Sequence, residues 1–157
     1  MKFVIQRTNA AKCEVNNEIT GQIEKGLCVF IGVGKGDDKK IADKMIQKLV
    51  NMRIFEDENE KINLSVQDIN GGLLLISQFT LYANCRKGNR PSFTDSESPD
   101  AANSMYEYII SECKKVMKEN GSIKAVETGI FGADMQISVE NDGPFTVILD
   151  SNDLAIN

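Results

Sequence analysis

Two segments of the chain have apolar residues at the three- and four-residue steps of an amphipathic helix. The first covers residues 38–53, with lysines between its apolar positions and either Asp37 or Asp38 available as the N-cap. The second covers residues 99–118, with Ser98 at the N-cap and a proline at the first helical position. We therefore predict two amphipathic helices.

Most of the remaining chain has the apolar or alternating runs that are typical of β-strands. The predicted strands cover residues 2–7, 12–15, 19–24, 27–33, 72–82, 123–127, 135–139 and 145–149. Asn16-Asn17 lies between two of them and indicates a tight hairpin turn. Because strands outnumber helices and mostly follow one another directly, we predict a single α+β domain with a mainly antiparallel or mixed sheet. The expected architecture is a barrel-like core with the two helices packed on it.

The composition narrows the possible chemistry. The chain has 157 residues and no histidine, which excludes Ser-His and Cys-His nucleophilic sites and His-ligated zinc. A formal net charge of −5 argues against a generally basic nucleic-acid-binding surface. Four cysteines are widely spaced without a C-x-x-C pair, so we expect separate thiols in a reducing cytoplasm, and neither a metal nor a cofactor. No segment approaches the roughly 20 apolar residues of a membrane span, so no membrane partner is expected.

A basic segment follows the predicted strand 72–82. The run N-C-R-K-G-N-R-P-S-F at residues 84–93 contains Arg86, Lys87 and Arg90 and no acidic residue. Guanidinium groups suit phosphates, and the glycine and proline indicate a loop that follows a nucleic-acid backbone. An ordinary basic surface loop explains the same residues.

Hydroxyl and amide groups precede this loop in S-Q-F-T-L at residues 77–81. They suit an ester-hydrolysing site, although for an isolated S-x-x-T cross-strand Ser/Thr pairing is the simpler explanation. Neither Ser77 nor Thr80 has a histidine to activate it. Backbone N–H groups that stabilise an oxyanion are therefore the more natural catalytic contribution of this segment.

Four motifs in the same register together resemble the D-aminoacyl-tRNA deacylases. They are S-Q-F-T-L at 77–81, R-K-G-N-R-P-S-F at 86–93, F-G-A-D-M at 131–135 and N-D-G-P-F-T at 141–146. The resemblance covers residues 1–151, so that residues 152–157 form a short C-terminal tail. One departure is Phe145, where the family commonly has a smaller aliphatic residue.

The resemblance implies a cytoplasmic homodimer that hydrolyses the ester between a D-amino acid and the 3′-terminal adenosine of tRNA. Glycyl-tRNA, mischarged on tRNA-Ala, is also implied as a substrate, and no DNA partner is expected. The residues that match the catalytic motif are Ser77, Gln78, Phe79 and Thr80. Those that match the element rejecting L-amino acids are Gly143 and Pro144, in a cis peptide that reaches into the other subunit's site, and Arg7, which fixes that element.

The resemblance also implies residues that hold the RNA. Phe131 and Met135 match positions that bind the terminal adenine, and the basic loop with Arg86, Lys87 and Arg90 is the expected tRNA contact. Two mechanisms remain open: an oxyanion held by backbone N–H groups with help from the substrate's 2′-OH, or Thr80 as a covalent nucleophile. The alternative function is a non-catalytic tRNA- or nucleotide-binding module of the same fold.

Overall fold

The structure is a computed structural model and describes residues 1–121 and 125–154. Within these ranges the strands are β1 (Lys2–Val15), β2 (Glu18–Ile23), β3 (Gly26–Gly32), β4 (Phe55–Glu56), β5 (Ile62–Leu64), β6 (Gly72–Ser77), β7 (Val126–Thr128) and β8 (Gln136–Asp150). The α-helices are α1 (Lys39–Asn51) and α2 (Pro99–Glu119), and short 3₁₀ helices cover Phe79–Tyr82 and Ser151–Asp153.

Six strands form one mixed sheet in the order β2-β1-β3-β6-β7, with β8 paired to β1. β1 runs antiparallel to β2, β3 and β8, whereas β3, β6 and β7 run parallel to one another. A Cβ on Gly21 of β2 would lie 2.6 Å from the carbonyl oxygen of Thr128 in β7, so the two ends of the sheet touch. The sheet is thus nearly closed into a barrel, and the predicted α+β class is confirmed.

Two of the strands are longer than the sequence predicts. β1 joins the predicted strands 2–7 and 12–15, and β8 joins 135–139 and 145–149. β1 pairs with β8 along nearly its whole length, while β3 and then β2 occupy its other side. Register shifts around Thr8 absorb the irregular segments between the predicted pieces, so the ladder continues through them.

Two other predicted strands end at different positions. The predicted strand 72–82 ends at Ser77, and the chain continues as the 3₁₀ helix Phe79–Tyr82. The reason is that β3, the neighbour of β6, ends at Gly32 and offers no further backbone partners. The predicted strand 123–127 lies partly outside the described residues, and its last two residues, Val126 and Glu127, belong to β7.

Both predicted helices are confirmed, and each connects two parallel strands of the sheet. Asp38 is the N-cap of α1, where its carboxylate accepts a hydrogen bond of 2.8 Å from the Ile41 N–H. α2 begins at Pro99, but Ser98 makes no capping bond with its side chain. Neither α-helix in the described ranges is long and apolar enough to cross a lipid bilayer.

The apolar residues form two clusters, one on each side of the central strands. The larger cluster lies between the sheet and the helices, and its members include Phe3, Leu27, Leu73, Met45 and Ile109. The smaller cluster lies on the other face and consists of Ala11, Cys13, Ile23, Cys28, Leu74 and Ile76. Each fully buried aliphatic side chain contributes about 1.5–3 kcal/mol, so this packing holds β3 and β6 rigidly in place.

Turns and ends complete the domain. Asn16 and Asn17 have φ values of 51° and 64°, which is the geometry of a type I′ hairpin turn, and the predicted turn is confirmed. Asn152 and Asp153, at the start of the predicted tail, belong to a 3₁₀ helix, and Leu154 packs on the larger cluster. Residues 155–157 of that tail lie outside the described residues.

Candidate active site

A cavity of about 610 Å³ lies where β6 ends and the chain turns into the 3₁₀ helix. Such a volume is typical of sites that enclose a small molecule or one nucleotide. Its walls come from the ends of β3 and β6, the start of α2 and the segment 131–137. The predicted site residues that line it are Ser77, Gln78, Phe79, Phe131 and Met135. Three of the four predicted catalytic residues, all except Thr80, therefore meet the predicted adenine contacts in one cavity.

The start of the 3₁₀ helix presents polar groups next to this cavity. The Gln78 N–H donates to the Ile31 carbonyl at 2.7 Å and anchors the turn to β3. The N–H groups of Phe79 and Thr80 donate to no other residue in the described ranges. Free N–H groups are usual at the first positions of a helix, and they are suited to binding an anionic oxygen.

Thr80 is exposed, and within residues 1–121 and 125–154 no base contacts its hydroxyl. Its Oγ1 lies 2.6 Å from the Gln78 Nε2 and accepts a hydrogen bond from that amide. A nucleophilic hydroxyl must instead give its proton to a base, and an amide is not a base in either orientation. This environment favours a positioning role for Thr80 over a covalent one.

Aromatic rings form much of the cavity wall. Phe79 is 56% exposed, and its ring meets that of Phe93 edge-on, with centroids 5.1 Å apart. On another wall Phe131 packs on Tyr106, with centroids 6.1 Å apart, and the Tyr106 hydroxyl donates to the Leu75 carbonyl at 2.8 Å. Burial raises the pKa of Tyr106 above its usual value, so this hydroxyl remains a donor. Aromatic faces of this kind suit the stacking of a nucleobase.

Glu97 is a cavity residue that the sequence did not reveal. It provides the one carboxylate among the residues that line the cavity in the described ranges. Its Oε1 accepts a hydrogen bond of 2.7 Å from the Ser98 N–H, while its own N–H donates to the Val33 carbonyl at 3.0 Å. These backbone hydrogen bonds hold Glu97 where the β3–α1 turn meets the start of α2, outside the catalytic motif.

The basic loop follows the 3₁₀ helix directly. Its two ends are joined by hydrogen bonds between Asn84 and Ser92, at 2.7 and 3.0 Å. Arg86, Lys87 and Arg90 between them are exposed, and none forms an ion pair with a residue in the described part of the chain. Three positively charged side chains without an ion-pair partner among the described residues therefore lie near the cavity but do not line it.

Gly143 and Pro144 lie apart from the cavity of their own chain. Both are exposed on β8, and the peptide bond between them is cis, as the resemblance implies. They adjoin Arg7 of β1, whose partner across the sheet is Leu27 of β3. Leu27 precedes Ile31, the residue of β3 that lines the cavity, by four positions. Four residues of strand span about 13 Å, so this segment does not reach the cavity within one chain.

Arg7 holds the Gly-Pro segment in place. Its Nε lies 3.1 Å from the Asp142 carboxylate, and its guanidinium lies 4.7 Å from the centre of the Phe145 ring. Asn141, which the sequence reasoning did not single out, adds bonds from its side chain to the Arg7 carbonyl at 3.0 Å and to the Phe145 carbonyl at 2.9 Å. The exposed Gly-Pro segment therefore stands on a fixed base.

No metal chemistry is suggested by the side chains. In residues 1–121 and 125–154, no three His, Cys, Asp or Glu side chains are grouped so that they would hold a metal ion. Cys13, Cys28 and Cys113 are buried and Cys85 is exposed, and all four are free thiols. Burial raises the pKa of Cys28 and of Cys113 to about 12, so both remain protonated and unreactive.

Comparisons with known proteins agree with this geometry. A relative from Thermosipho africanus (strain TCF52B), named D-aminoacyl-tRNA deacylase, is 53% identical over 151 residues, which are 96% of this chain and 97% of the relative. A solved structure described as c-Myc DNA Unwinding Element Binding Protein has a TM-score of 0.88 and 35% identity, covering 96% of this chain and 98% of that one.

A second solved structure, described as a probable eukaryotic D-amino acid tRNA deacylase, has a TM-score of 0.77 and covers 94% of this chain and 97% of that one. Its identity of 17% shows a shared fold only. Residues 4–150 match the family described as D-Tyr-tRNA(Tyr) deacylase. The match spans the cavity, the basic loop and the Gly-Pro segment, and the chain belongs to this family.

Proposed function

We propose that this protein hydrolyses the ester bond that joins a D-amino acid to the 3′-terminal adenosine of tRNA. The observation that carries the proposal is the cavity at the end of β6. It combines free N–H donors, stacking aromatic rings and a nearby basic loop in a chain of the deacylase family. An aminoacyl ester is already activated, so a site that positions it and stabilises an oxyanion is sufficient for its hydrolysis.

The proposed enzyme works as a homodimer. Ile148, Val4 and Phe30 are direct neighbours across β8, β1 and β3, so they form one row on the sheet face opposite the helices. Ile148 is 72% exposed, and the next residue of the row is Ile76 at the cavity. An exposed apolar row that leads into a binding site suits a protein interface. A second copy seated there brings its own exposed Gly143 and Pro144 within reach of the cavity.

In this arrangement the Gly-Pro segment of the second copy selects the substrate's chirality. Its backbone carbonyls lie against the substrate Cα, where an L side chain collides and a D side chain points outward. Discrimination is therefore by exclusion of the wrong hand, with little reading of the side chain itself. Glycine has no side chain to exclude, so glycyl-tRNA is hydrolysed as well.

Catalysis comes from the backbone and from the substrate. The N–H groups of Phe79 and Thr80 hold the developing oxyanion, and the 2′-OH of the terminal ribose assists proton transfer. Glu97 attracts the α-ammonium of the aminoacyl group, because it is the carboxylate on the cavity wall and the ammonium is the cation of the substrate. The terminal adenine stacks against Phe131 and Met135.

The decisive measurement is the deacylation of matched D-tyrosyl- and L-tyrosyl-tRNA. We expect rapid hydrolysis of the D form and little hydrolysis of the L form above the uncatalysed rate. Thr80→Ala should keep turnover within about tenfold of the wild type, since one lost hydrogen bond costs about 1 kcal/mol. Comparable rates for the two hands would refute the chirality filter, and complete loss of turnover in Thr80→Ala would favour the nucleophile mechanism.

The alternative is a tRNA- or nucleotide-binding module without catalysis. It predicts that adenosine binds in the cavity while D-tyrosyl-tRNA stays intact for as long as it does in buffer. The related structure whose description refers to a DNA element makes duplex DNA the appropriate competitor. We expect tRNA to compete with the substrate much better than DNA of equal length.

The free thiols are consistent with a reducing cytoplasm, where we place the protein.

A further inference from the structure

We propose that Lys40, Lys44 and Lys48 of α1 form a track for the phosphate backbone of the tRNA acceptor stem. These three residues are called the lysine track below. The inference rests on the proposed function, because it assigns a surface to the part of the substrate beyond its terminal nucleotide.

The lysine track is a concentration of positive charge in an acidic protein. α1 has the sequence KKIADKMIQKLVN, with four lysines against one aspartate, whereas the whole chain has a formal net charge of −5. That aspartate, Asp43, accepts a hydrogen bond of 2.7 Å from the Tyr108 hydroxyl. No lysine of α1 forms an ion pair with any residue that the structure describes. The charge is therefore open to an external anion.

The spacing of the track suits a nucleic-acid strand. Its residues are four positions apart, so they lie on one face of the helix in steps of about 6 Å and span about 12 Å. All three are exposed, and the apolar residues of α1 point the other way into the larger cluster. Successive phosphates of one strand of a nucleic-acid helix lie only a few ångströms apart along its axis, so the track spans several phosphates. Flexible lysines suit such contacts, which position a backbone without reading its sequence.

The track begins beside the cavity and leads away from it. The turn before α1 is tied to the start of α2 by hydrogen bonds of 3.1 Å from the Lys35 N–H to the Asp95 carbonyl and of 3.0 Å from the Glu97 N–H to the Val33 carbonyl. Val33 and Glu97 both line the cavity. A tRNA whose terminal adenosine fills the cavity therefore meets the first turn of α1 as it leaves.

The test compares two triple variants with the same change of charge. The track variant is Lys40→Gln with Lys44→Gln and Lys48→Gln. The control changes the exposed lysines of α2, as Lys114→Gln with Lys115→Gln and Lys118→Gln. Each protein is assayed on D-tyrosyl-tRNA, on a D-tyrosyl acceptor-stem minihelix and on D-tyrosyl-adenosine. The salt concentration is varied between about 50 and 200 mM.

We expect the track variant to lose about tenfold or more in kcat/KM on tRNA and minihelix at low salt. The negative slope of log kcat/KM against log salt concentration should become less steep by about 2–3, since each lost phosphate contact contributes about 0.7–0.9 to its magnitude. Hydrolysis of D-tyrosyl-adenosine should not change. Equal loss in the control variant, or no loss in the track variant, overturns the track.

The failure of this inference is distinguishable from failure of the proposed function. If the wild type hydrolyses D-tyrosyl-adenosine and D-tyrosyl-tRNA and the track variant has the same kcat/KM on both, only the proposed role of the lysine track is refuted. If the wild type hydrolyses neither substrate, the proposed function is wrong. The track is then decided by filter binding of uncharged tRNA, where it predicts weaker binding for the track variant than for the control.

Discussion

Arg7 is the residue whose replacement tests most directly how the Gly-Pro segment is held. Its side chain is 8% exposed and its Nη1 donates to the Ile54 carbonyl at 2.8 Å. Its Nε interacts with Asp142, and its guanidinium lies over the Phe145 ring. In Arg7→Met the buried alkyl stem is retained while the charge and all the donors are removed, so the effect of the polar contacts is isolated.

The cost of Arg7→Met follows from these contacts. A buried carbonyl without its donor costs about 1–3 kcal/mol. The cation–π contact with Phe145 adds about 0.5–2 kcal/mol. The Asp142 carboxylate is 35% exposed and can be solvated, so its ion pair adds at most about 1 kcal/mol. Because these contributions belong to one side chain and are not fully additive, we expect a total loss of about 2–4 kcal/mol in the free energy of unfolding. Arg7→Lys keeps the charge but not the planar fork, so about half of that loss should remain.

The assay is urea unfolding followed by circular dichroism at one fixed protein concentration, since the stability of the proposed dimer would depend on concentration. The control is Lys115→Met, which removes an exposed ion pair with Glu112 at 3.7 Å and should change stability by less than about 0.5 kcal/mol. A loss below about 1 kcal/mol for Arg7→Met would refute the reasoning. The ratio of D- to L-tyrosyl-tRNA hydrolysis, measured well below the unfolding midpoint, should fall in Arg7→Met and recover partly in Arg7→Lys.

Further predictions concern a buried tyrosine, a tightly packed glycine and the cysteines. Tyr106→Phe removes one buried hydrogen bond but keeps the ring on the cavity wall, so we expect a loss of about 1 kcal/mol by urea unfolding and a nearly unchanged kcat/KM. Gly26→Ala places a Cβ in steric overlap with the Gly72 carbonyl oxygen and should prevent stable folding, as judged by soluble yield. A thiol reagent should modify Cys85 alone in the native protein. Because the pKa of Cys28 is raised to about 12 in the folded protein, the unfolded chain loses that proton first, and stability should fall as pH rises above about 9.

Local patterns were sufficient to predict the helices and the turn. The spacing of apolar residues in α1 and α2 indicates which face of each helix packs on the sheet. That spacing can be read from a few neighbouring residues of the sequence. Asn16-Asn17 adopts its turn because asparagine tolerates positive φ at low cost. In each case the determining interaction lies within about one turn of the residue concerned.

Features that depend on distant partners were not predictable in this way. β6 ends at Ser77 because its neighbour β3 ends beside it. The motif S-Q-F-T-L, which begins at Ser77, has the composition of a strand. Glu97 belongs to the cavity because the Val33 carbonyl binds its N–H from another part of the chain. The contacts of Arg7 with Asp142 join positions 135 residues apart. Only the resemblance to a family gave Arg7 a role in advance, and it left Glu97 and Asn141 unassigned.

The distribution of charge explains how an acidic protein without histidine is suited to this substrate. An aminoacyl-tRNA is a cation at its aminoacyl end and a polyanion everywhere else. Among the residues that the structure describes, the cavity wall has one carboxylate, that of Glu97, whereas the basic loop and the proposed lysine track lie outside the cavity. With the roles proposed for these residues, the two ends of the substrate are attracted to different places, and only one orientation satisfies both. Acetylation of the substrate's amino group removes the inner attraction and also makes the ester less reactive towards water. Divided by the uncatalysed rate of the same ester, hydrolysis of D-tyrosyl-adenosine and of D-tyrosyl-tRNA should therefore be weakened by the same factor. Glu97→Gln should abolish that normalised difference between free and acetylated substrates, whereas the track variant should leave it intact.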